Sequence, residues 1–151
     1  STFPYSNVLL QKIAEKYATS LLNHFNYVGV LVIEFFVSKD GSLIANEMAP
    51  RVHNSGHWSI EGCSMSQFES HIRAITGQLT SFANDFKPSL MMNILSKYPK
   101  REKMDELGEH YMHSYDKEER NLRKLGHITK VAPHKEELLK DLERYLDILD
   151  N

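Results

Sequence analysis

A near-continuous apolar run from Tyr27 to Val37 is the feature that most restricts how this chain can fold. The run is rich in β-branched and aromatic residues, which favour a strand, and its hydrophobicity predicts that both faces of the strand are covered. Asp40-Gly41 follows, and this pair readily adopts the positive φ values of a type I′ turn. Because Ser42 to Met48 then has the pattern of a returning strand, the sequence predicts an antiparallel hairpin.

The hairpin register predicts that two acidic side chains face each other. A two-residue turn at Asp40-Gly41 places Glu34 opposite Glu47 across the ladder. The same register pairs Val37 with Ile44. Opposed side chains have Cβ atoms ~4.5 to 5.5 Å apart, and like charges there are destabilising. The pair therefore needs a shared proton, a nearby Lys or Arg, or a divalent cation, and an oxygen-rich shell of carboxylates and phosphates suits Mg²⁺.

Two other arrangements of these glutamates stay open. Both side chains can face solvent on an outer sheet face, or a one-residue bulge can break the register and put them on different faces. Glu34 has the same strand parity as Val30, Val32 and Phe36. We therefore expect Glu34 to face a covered surface.

The segment from Ala49 to His57 contains Pro, Asn and Gly, which predict an irregular loop dense in polar groups. Arg51 in this loop carries a planar guanidinium that can bind carboxylate or phosphate oxygens with two parallel hydrogen bonds. Asn54 and Ser55 supply neutral hydrogen bonds for orientation. Such a loop at the end of a metal-bearing hairpin suits a phosphorylated intermediate.

The remaining elements follow from periodicity, caps and breakers. An apolar stripe at three- and four-residue steps from Asn7 to Phe25 predicts a helix capped by Ser6 or Asn7. A second helix is predicted from Met65 to Ile75, with Ser64 as its cap and Gly77 as its stop. Further predicted elements are strands at Pro88–Ser96, Tyr111–Tyr115 and His127–Ala132, an exposed connection at Lys97–Glu106 and a final helix at His134–Leu149.

Charge and cysteine content limit the partners of the chain. Eighteen Lys and Arg against twenty Asp and Glu give a formal net charge of −2, so bulk electrostatics attract neither nucleic acid nor an anionic membrane. The single cysteine, Cys63, excludes an intrachain disulfide and a Cys-based zinc cage. No apolar run approaches the ~18 to 20 residues of a membrane span. We expect a cytoplasmic protein without nucleic-acid or membrane partners.

Several ordered segments carry a family signature. Asn46–His57 and Ser66–Ile75 resemble the signature of the N5-carboxyaminoimidazole ribonucleotide synthetase family of ATP-grasp ligases. Val28–Val37 looks like the first metal-ligand strand of that family. Tyr115–Glu118 and Arg123–Ile128 are similar to its basic segment near the ribotide phosphate. The resemblance covers most of the chain.

The chain departs from the family pattern at two places and from the pattern of many wider ATP-grasp relatives at a third. Val52 stands where Pro is usual, and Asn121-Leu122 stands where Pro-Gly is expected. Many ATP-grasp relatives have Glu-x-Asn-Pro-Arg where this chain has Glu47-Met48-Ala49-Pro50-Arg51, so the carboxylates would have to do more of the metal binding. The change at Asn121-Leu122 leaves the shape of the basic loop open.

The resemblance implies an α+β fold in two parts. Residues 1–86 would be the C-terminal part of an ATP-grasp domain, with an antiparallel sheet and helices, and residues 87–151 a small β-rich C-terminal subdomain with a terminal helix. Ser1 is not a methionine, and the sequence has no Gly-rich phosphate loop. We therefore expect a portion of a longer enzyme that is inactive alone. The resemblance also implies a homodimer.

The activity that the resemblance implies is an ATP-dependent carboxylation. Bicarbonate and 5-aminoimidazole ribonucleotide would give N5-carboxyaminoimidazole ribonucleotide, ADP and phosphate in de novo purine biosynthesis, with ATP and Mg²⁺ as cofactors and carboxyphosphate as the first product. The implied roles are Mg²⁺ binding by Glu34 and Glu47, nucleotide binding by Asn46 and Glu47, catalysis by Arg51, His53, Asn54 and Ser55, and ribotide phosphate binding by Lys117, Arg123 and Lys124.

Other interpretations stay open. A noncatalytic ligand-binding or dimerisation module is one, and a related ATP-grasp ligase that transfers a formyl group is another. His53, His57 and Glu61 are familiar types of zinc ligand, although Asn54-Ser55-Gly56 disfavours the helix that would align them. Cys63 is expected to pack and not to act as a nucleophile. The basic segment can equally be a solvated charge run.

Overall fold

The computed structural model describes residues 2–3, 7–78 and 85–149. These residues form helices and antiparallel sheets, which confirms the predicted α+β class. The chain divides into two compact units: a hairpin unit comprising Tyr5–Ile60 and Ser64–Asn84, and a sheet unit comprising Ser1–Pro4, Glu61–Cys63 and Asp85–Asn151. The predicted division into residues 1–86 and 87–151 stays a prediction. No helix in the described part of the chain is long and apolar enough to cross a membrane.

Helix α1 (Val8–Phe25) opens the hairpin unit, as predicted. Asn7 caps it, because the Asn7 Oδ1 accepts a hydrogen bond from Leu10 N at 3.1 Å. The helix ends where Asn26 takes a left-handed φ of 47° and Tyr27 N donates to Leu22 O at 3.0 Å. The predicted alternative cap, Ser6, lies outside the described residues.

Strands β2 (Val32–Val37) and β3 (Leu43–Ala49) form the predicted antiparallel hairpin, although β2 begins at Val32 and not at Tyr27. Helix α1 covers one face of this hairpin, where the ring centroids of Tyr17 and Phe35 are 6.1 Å apart. The expectation that both faces are covered is wrong. On the other face Phe36 and Ile44 lie opposite each other and keep 61% and 54% of their surface exposed.

The hairpin turn is not the predicted two-residue turn. Gly41 N donates to Ser38 O at 2.9 Å and Ser38 N donates to Ser42 O at 2.9 Å, so Lys39 and Asp40 form the centre and Gly41 follows at a φ of 81°. This is a three-residue loop that ends in a glycine bulge. The Asp40 carboxylate stabilises it by accepting hydrogen bonds from Ser42 N at 3.0 Å and Ser42 Oγ at 2.8 Å, and these bonds lower the pKa of Asp40.

Because the turn has three residues, the pairing of β2 with β3 next to the turn is shifted by one position from the predicted register. A bulge farther from the turn restores the predicted register. The pairs near the turn are Val37 with Leu43, Phe36 with Ile44 and Phe35 with Ala45. The predicted pairing of Val37 with Ile44 is therefore wrong by one residue. Asn46 has no partner residue in β2, so it is the extra residue of a β-bulge. Beyond this bulge Glu34 lies opposite Glu47, as predicted.

Short helices follow the hairpin. The loop contains a 3₁₀ turn at Asn54–Gly56, helix α2 covers Ser59–Gly62, and helix α3 covers Gln67–Ile75. Helix α3 starts two positions after the predicted Met65, because Ser66 and not Ser64 caps it. The Ser66 Oγ accepts a hydrogen bond from Glu69 N at 3.2 Å.

The sheet unit is built on the strands β1 (Thr2–Phe3), β4 (Ser89–Leu95), β5 (Tyr111–Ser114) and β6 (Lys124–Val131), and its helices are α4 (Arg101–Asp105) and α5 (Lys135–Leu149). In the described residues these strands form an antiparallel sheet of order β1-β4-β6-β5. β6 begins three residues before the predicted His127. The stretch predicted as an exposed connection contains α4, and its Met104 side chain is buried, because an apolar residue inside the charged stretch turns toward the core.

One face of this sheet carries the apolar core and the other carries mainly polar side chains. The core packs alternate residues of β4 against β6, α4 and α5, and it contains Leu90, Met92, Ile94, Met104, Leu107, Leu125, Ile128, Ala132, Leu138, Tyr145 and Ile148. Burial raises the pKa of Tyr145 to about 12, so its hydroxyl keeps its proton. On the opposite face Asn93, His127 and His113 form one row across β4, β6 and β5.

A tight turn precedes β6 at the position where the resembling family has Pro-Gly. Arg123 N donates to Arg120 O at 3.0 Å, with Asn121 and Leu122 between them. Leu122 has a φ of 57° and is 79% exposed. Turns with a positive φ at their third residue favour glycine there. The turn thus has a leucine in a backbone conformation that disfavours side chains.

We expect Leu122→Gly to raise the free energy of unfolding by about 1 kcal/mol, because it removes the left-handed strain of a residue with a Cβ atom and loses little packing. Leu122→Ala is the control, since alanine keeps the Cβ atom and the strain. Urea unfolding followed by circular dichroism measures both. A glycine variant no more stable than the alanine variant would show that the turn is unstrained.

Candidate functional site

Glu34 and Glu47 share one register position, and the imidazole of His53 lies between their carboxylates. His53 Nδ1 is 3.6 Å from Glu34 Oε1, and His53 Nε2 is 3.6 Å from Glu47 Oε1. Both distances exceed those of ordinary hydrogen bonds, so the contacts are electrostatic. We predicted from the sequence that His53 belongs to the site, but not that it lies between the two glutamates.

The two carboxylates are open to solvent. The Glu34 and Glu47 side chains are 38% and 50% exposed, against 12% for His53. The prediction that Glu34 faces a covered surface is therefore wrong, because its carboxylate reaches the open side of the bulge. There Asn46 Nδ2 donates to Glu34 Oε2 at 3.5 Å. Asn46 thus lies beside Glu34, and its nucleotide-binding role stays a prediction.

The hydrogen bonds of His53 indicate which ring nitrogen carries the proton. Ser55 N donates to His53 Nδ1 at 3.3 Å, which requires a lone pair on that nitrogen. The neutral ring then has its proton on Nε2, the nitrogen that faces Glu47. The Ser55 Oγ also lies 2.9 Å from His53 Nδ1 and can donate to it. A neutral His53 does not cancel the charge of either glutamate, so the pair retains its capacity for a cation.

Arg51 begins the loop after β3 and keeps its charge available. Its Nη1 donates to Val52 O at 2.9 Å, and the residue is exposed. Among the described residues Arg51 forms no ion pair. A guanidinium held at its base by a neighbouring carbonyl can still offer its other N–H groups to a phosphate or carboxylate.

The loop around His53 is organised by one buried side chain, Gln67, at the start of α3. Gln67 Oε1 accepts from His53 N at 3.0 Å, and Gln67 Nε2 donates to His53 O at 2.7 Å. A glutamine amide has one acceptor and one donor side by side, so it pairs with both main-chain groups of one residue. Gln67 Nε2 also lies 2.7 Å from His57 Nδ1. Gln67 therefore fixes the backbone that carries His53.

The same glutamine explains why the loop contains Gly56. A Cβ atom at Gly56 would lie 2.5 Å from Gln67 Oε1, so any side chain there would displace the amide. The hydroxyl of Ser59 completes the arrangement, because it donates to Gly56 O at 2.6 Å and accepts from Gln67 N at 2.9 Å. Sequence reasoning gave Gln67 no role, although it lies inside the signature segment Ser66–Ile75.

The zinc interpretation receives no support from this geometry. The Nδ1 atom of His57 is directed at the amide of Gln67, and its ring stacks on Phe68 at 5.3 Å. Glu61 instead contacts His113, 2.6 Å away. The described part of the chain has no group of three or more His, Cys, Asp or Glu side chains arranged to hold a metal ion. Mg²⁺ bound to nucleotide phosphates needs only one or two carboxylates, a number that the pair Glu34 and Glu47 matches.

Cys63 has the environment of a packing residue. Burial, followed by the charge of Asp85, raises the pKa of the Cys63 thiol. A raised pKa disfavours the thiolate, which is the reactive form.

The basic segment lies in the sheet unit and has an aromatic partner. Lys117 Nζ is 5.2 Å from the centroid of the Tyr115 ring. The main chain of Arg123 is fixed on both sides, since Arg123 N donates to Arg120 O and Arg123 O accepts from Ser96 N at 2.9 Å. In the described ranges Lys117, Arg123 and Lys124 form no ion pair. Their charges are therefore available to an anion.

Comparisons with known proteins first define the class. Residues 2–68 match the model of the ATP-grasp domain, and residues 89–141 match the model of the phosphoribosylaminoimidazole carboxylase C-terminal domain. The first match contains both glutamates and the loop, and the second contains the basic segment. The fold is thus that of an ATP-grasp protein.

Proteins and solved structures with similar sequences then identify the family. The N5-carboxyaminoimidazole ribonucleotide synthases of Pseudomonas aeruginosa and Escherichia coli are 45% identical over 120 residues and 40% identical over 147 residues, covering 80% and 97% of this chain. The N5-carboxyaminoimidazole ribonucleotide synthetase structure from Thermus thermophilus matches 98% of the chain with a TM-score of 0.88 and 39% identity. The chain belongs to the N5-carboxyaminoimidazole ribonucleotide synthetase family.

The match is to part of each relative. The chain covers 33% of the Pseudomonas protein, 41% of the Escherichia protein and 41% of the Thermus structure. A structure of N5-carboxyaminoimidazole synthase from Aspergillus clavatus in complex with ADP and 5-aminoimidazole ribonucleotide has a TM-score of 0.84 at 32% identity, with 99% of this chain and 43% of that one covered.

We expect Gln67→Ala to lower the free energy of unfolding by about 2 to 3 kcal/mol, because three hydrogen bonds are lost and the main chain of His53 is left unpaired. Gln11→Ala, at an exposed position of α1, is the matched control and should change stability by less than about 0.5 kcal/mol. Urea unfolding measures both. Equal effects of the two substitutions would show that Gln67 does not organise the loop.

Proposed function

We propose that the complete protein containing this chain carboxylates 5-aminoimidazole ribonucleotide. Bicarbonate and ATP are the other substrates, and N5-carboxyaminoimidazole ribonucleotide, ADP and phosphate are the products, in de novo purine biosynthesis. The observation that carries the proposal is the opposed pair Glu34 and Glu47 in a chain of this family. The Aspergillus relative bound to ADP and 5-aminoimidazole ribonucleotide supports the choice of nucleotide and ribotide.

Glu34 and Glu47 would hold Mg²⁺ together with ATP. Both offer exposed carboxylate oxygens at one register position, and oxygen ligands are those that Mg²⁺ prefers. Bound Mg²⁺ would neutralise charge on the ATP phosphates and so lower the barrier to phosphoryl transfer. Asn46, which donates to Glu34, would orient that carboxylate and lie at the nucleotide edge.

The loop residues would act on the transferred group. The exposed guanidinium of Arg51 would stabilise negative charge on the phosphoryl group or on carboxyphosphate, a role worth several kcal/mol in comparable sites. His53, held between the glutamates by Gln67, would present Nε2–H beside Glu47. Asn54 and Ser55 would orient the ribotide or the carboxyl intermediate with neutral hydrogen bonds.

Lys117, Arg123 and Lys124 would bind the ribotide phosphate. Lysine supplies a compact charge and arginine a planar fork, and together they neutralise a phosphate dianion and fix its direction. This role requires Lys117 and Arg123 to approach the Asn54-Ser55 loop in the complete enzyme, which stays a prediction. The proposal also includes a homodimer, which rests on family resemblance alone, and a cytoplasmic location, which rests on the single cysteine of the chain.

Replacing either glutamate should reduce enzyme activity without reducing folding stability. We expect Glu34→Gln and Glu47→Gln each to reduce ATP turnover by the complete enzyme at least about 100-fold, since each removes a metal-binding charge. Stability should stay unchanged or rise by up to about 1 kcal/mol, because two like charges no longer face each other. Steady-state kinetics with varied Mg²⁺ and urea unfolding measure the two effects.

The control for this pair is Glu15→Gln, at an exposed position on α1, which should leave turnover and magnesium dependence unchanged. Unaltered magnesium dependence in both glutamate variants would remove Glu34 and Glu47 from the metal site. Lost activity accompanied by an equal loss of folding would assign them a structural role instead.

Replacing a basic residue should act on the ribotide and not on ATP. We expect Lys117→Ala and Arg123→Ala each to raise the KM for 5-aminoimidazole ribonucleotide about tenfold, since a charged hydrogen bond to phosphate is lost. The KM for ATP should not change. Lys140→Ala, an exposed lysine of α5, is the control. If both variants alter only the KM for ATP, the ribotide assignment is wrong.

A further inference from the structure

The polar face of the sheet unit contains two stacked histidines that the proposed chemistry does not use. His113 on β5 and His127 on β6 lie opposite each other in the ladder. Their ring centroids are 4.6 Å apart and their planes differ by 17°. His127 is 2% exposed, so its ring has no freedom to move independently of its neighbours. The stack is therefore a rigid part of the sheet.

One end of the stack is fixed by a buried carboxylate. His113 Nε2 lies 2.6 Å from Glu61 Oε1, and the Glu61 side chain is 9% exposed. Glu61 Oε2 is buried and has no hydrogen-bond partner among the described residues. Because a buried carboxylate needs a donor, the contact favours a proton on His113 Nε2. The orientation of the His113 ring follows from this bond.

The other end of the stack reaches a tyrosine. Tyr115 lies two residues beyond His113, so both side chains project to the same face. The Tyr115 hydroxyl is 2.9 Å from His127 Nδ1. Burial raises the pKa of Tyr115, so the hydroxyl keeps its proton near neutral pH. The ring of Tyr115 is thus held at its distal end by His127.

The held ring faces a lysine. Lys117 Nζ lies 5.2 Å from the Tyr115 centroid, within the range of a cation–π contact. Asp116 between them takes a left-handed φ of 51°, and its N–H donates to Ser114 Oγ at 3.1 Å. This local turn returns Lys117 toward the ring of Tyr115. An exposed lysine would otherwise sample many rotamers, and their loss on binding an anion weakens affinity.

We propose that Tyr115 and His127 are positioning residues that hold the Lys117 ammonium for the phosphate of the substrate, with His113 and Glu61 fixing the orientation of the His127 ring. This inference rests on the proposed role of Lys117 in ribotide binding. It adds residues that do not themselves touch the substrate.

The strand contact beside the stack requires a glycine, which keeps the arrangement in place. A Cβ atom at Gly126 would lie 2.3 Å from His113 O. β5 and β6 therefore approach closely at the position next to the two histidines. A close backbone approach limits how far β5, and with it Tyr115, can shift relative to His127.

A double-mutant cycle in the complete enzyme tests the proposal. We expect Tyr115→Leu to raise the KM for 5-aminoimidazole ribonucleotide about fivefold, because the cation–π contact and the hydroxyl are both lost. Tyr115→Phe keeps the ring and removes the hydroxyl that contacts His127, so we expect a rise of about twofold. The value of kcat and the KM for ATP should stay unchanged. The control is Tyr111→Leu, since Tyr111 is an exposed tyrosine on β5.

The decisive arm repeats both Tyr115 substitutions in a Lys117→Ala background. If Tyr115 acts through Lys117, neither substitution should alter the ribotide KM further there. An increase by the same factor in both backgrounds would overturn the positioning role. If Lys117→Ala alone leaves the ribotide KM unchanged, the proposed phosphate site fails and the positioning role fails with it.

If a Tyr115 substitution only impairs folding, the kinetic result differs from every outcome of the double-mutant cycle described above. A purely structural Tyr115 would lower kcat and the melting temperature without raising the ribotide KM, and that result would also overturn the proposal. Tyr115→Phe nearly preserves the side-chain volume, so it tests the bond to His127 even if Tyr115→Leu fails to fold.

Discussion

Two negative charges opposed on one antiparallel ladder are the constraint around which the hairpin unit is built. Glu34 and Glu47 repel each other at this spacing, and a hairpin retains such a pair only with compensation. The imidazole of His53 lies between the two carboxylates, 3.6 Å from each, but it does not cancel their charge. His53 holds this place because Gln67 binds both its main-chain groups. The open sides of the carboxylates are left for a cation.

The opposition of Glu34 and Glu47 was predicted from the sequence, but through a turn that the structure does not have. The loop uses three residues, which shifts the pairing near it by one position. The bulge at Asn46 shifts it back. Asp-Gly supports both loop types, and the three-residue loop is stabilised by hydrogen bonds from Ser42 to the Asp40 carboxylate. Neither that bond nor a bulge leaves a clear periodicity in a sequence.

Long periodic elements were predictable, whereas single side chains that act on the main chain were not. Helix α1 and the strands of the sheet unit follow from apolar spacing, but helix α4 was missed because it is only five residues long. Gln67 organises the loop by pairing with a residue 14 positions away, and sequence spacing cannot show such a contact. At Leu122 the backbone has a positive φ that favours glycine, although the residue is a leucine. The residue type therefore gives no signal for this turn.

The central claim is that Glu34 and Glu47 hold the cation that accompanies the nucleotide. Its most direct test replaces Mg²⁺ by paramagnetic Mn²⁺ in the complete enzyme with bound nucleotide. The NMR signals of ¹³C-labelled glutamate carboxyls are then measured. The account predicts strong broadening of the Glu34 and Glu47 signals and none for Glu15. Sharp signals from both Glu34 and Glu47 in the Mn²⁺-nucleotide complex would contradict it.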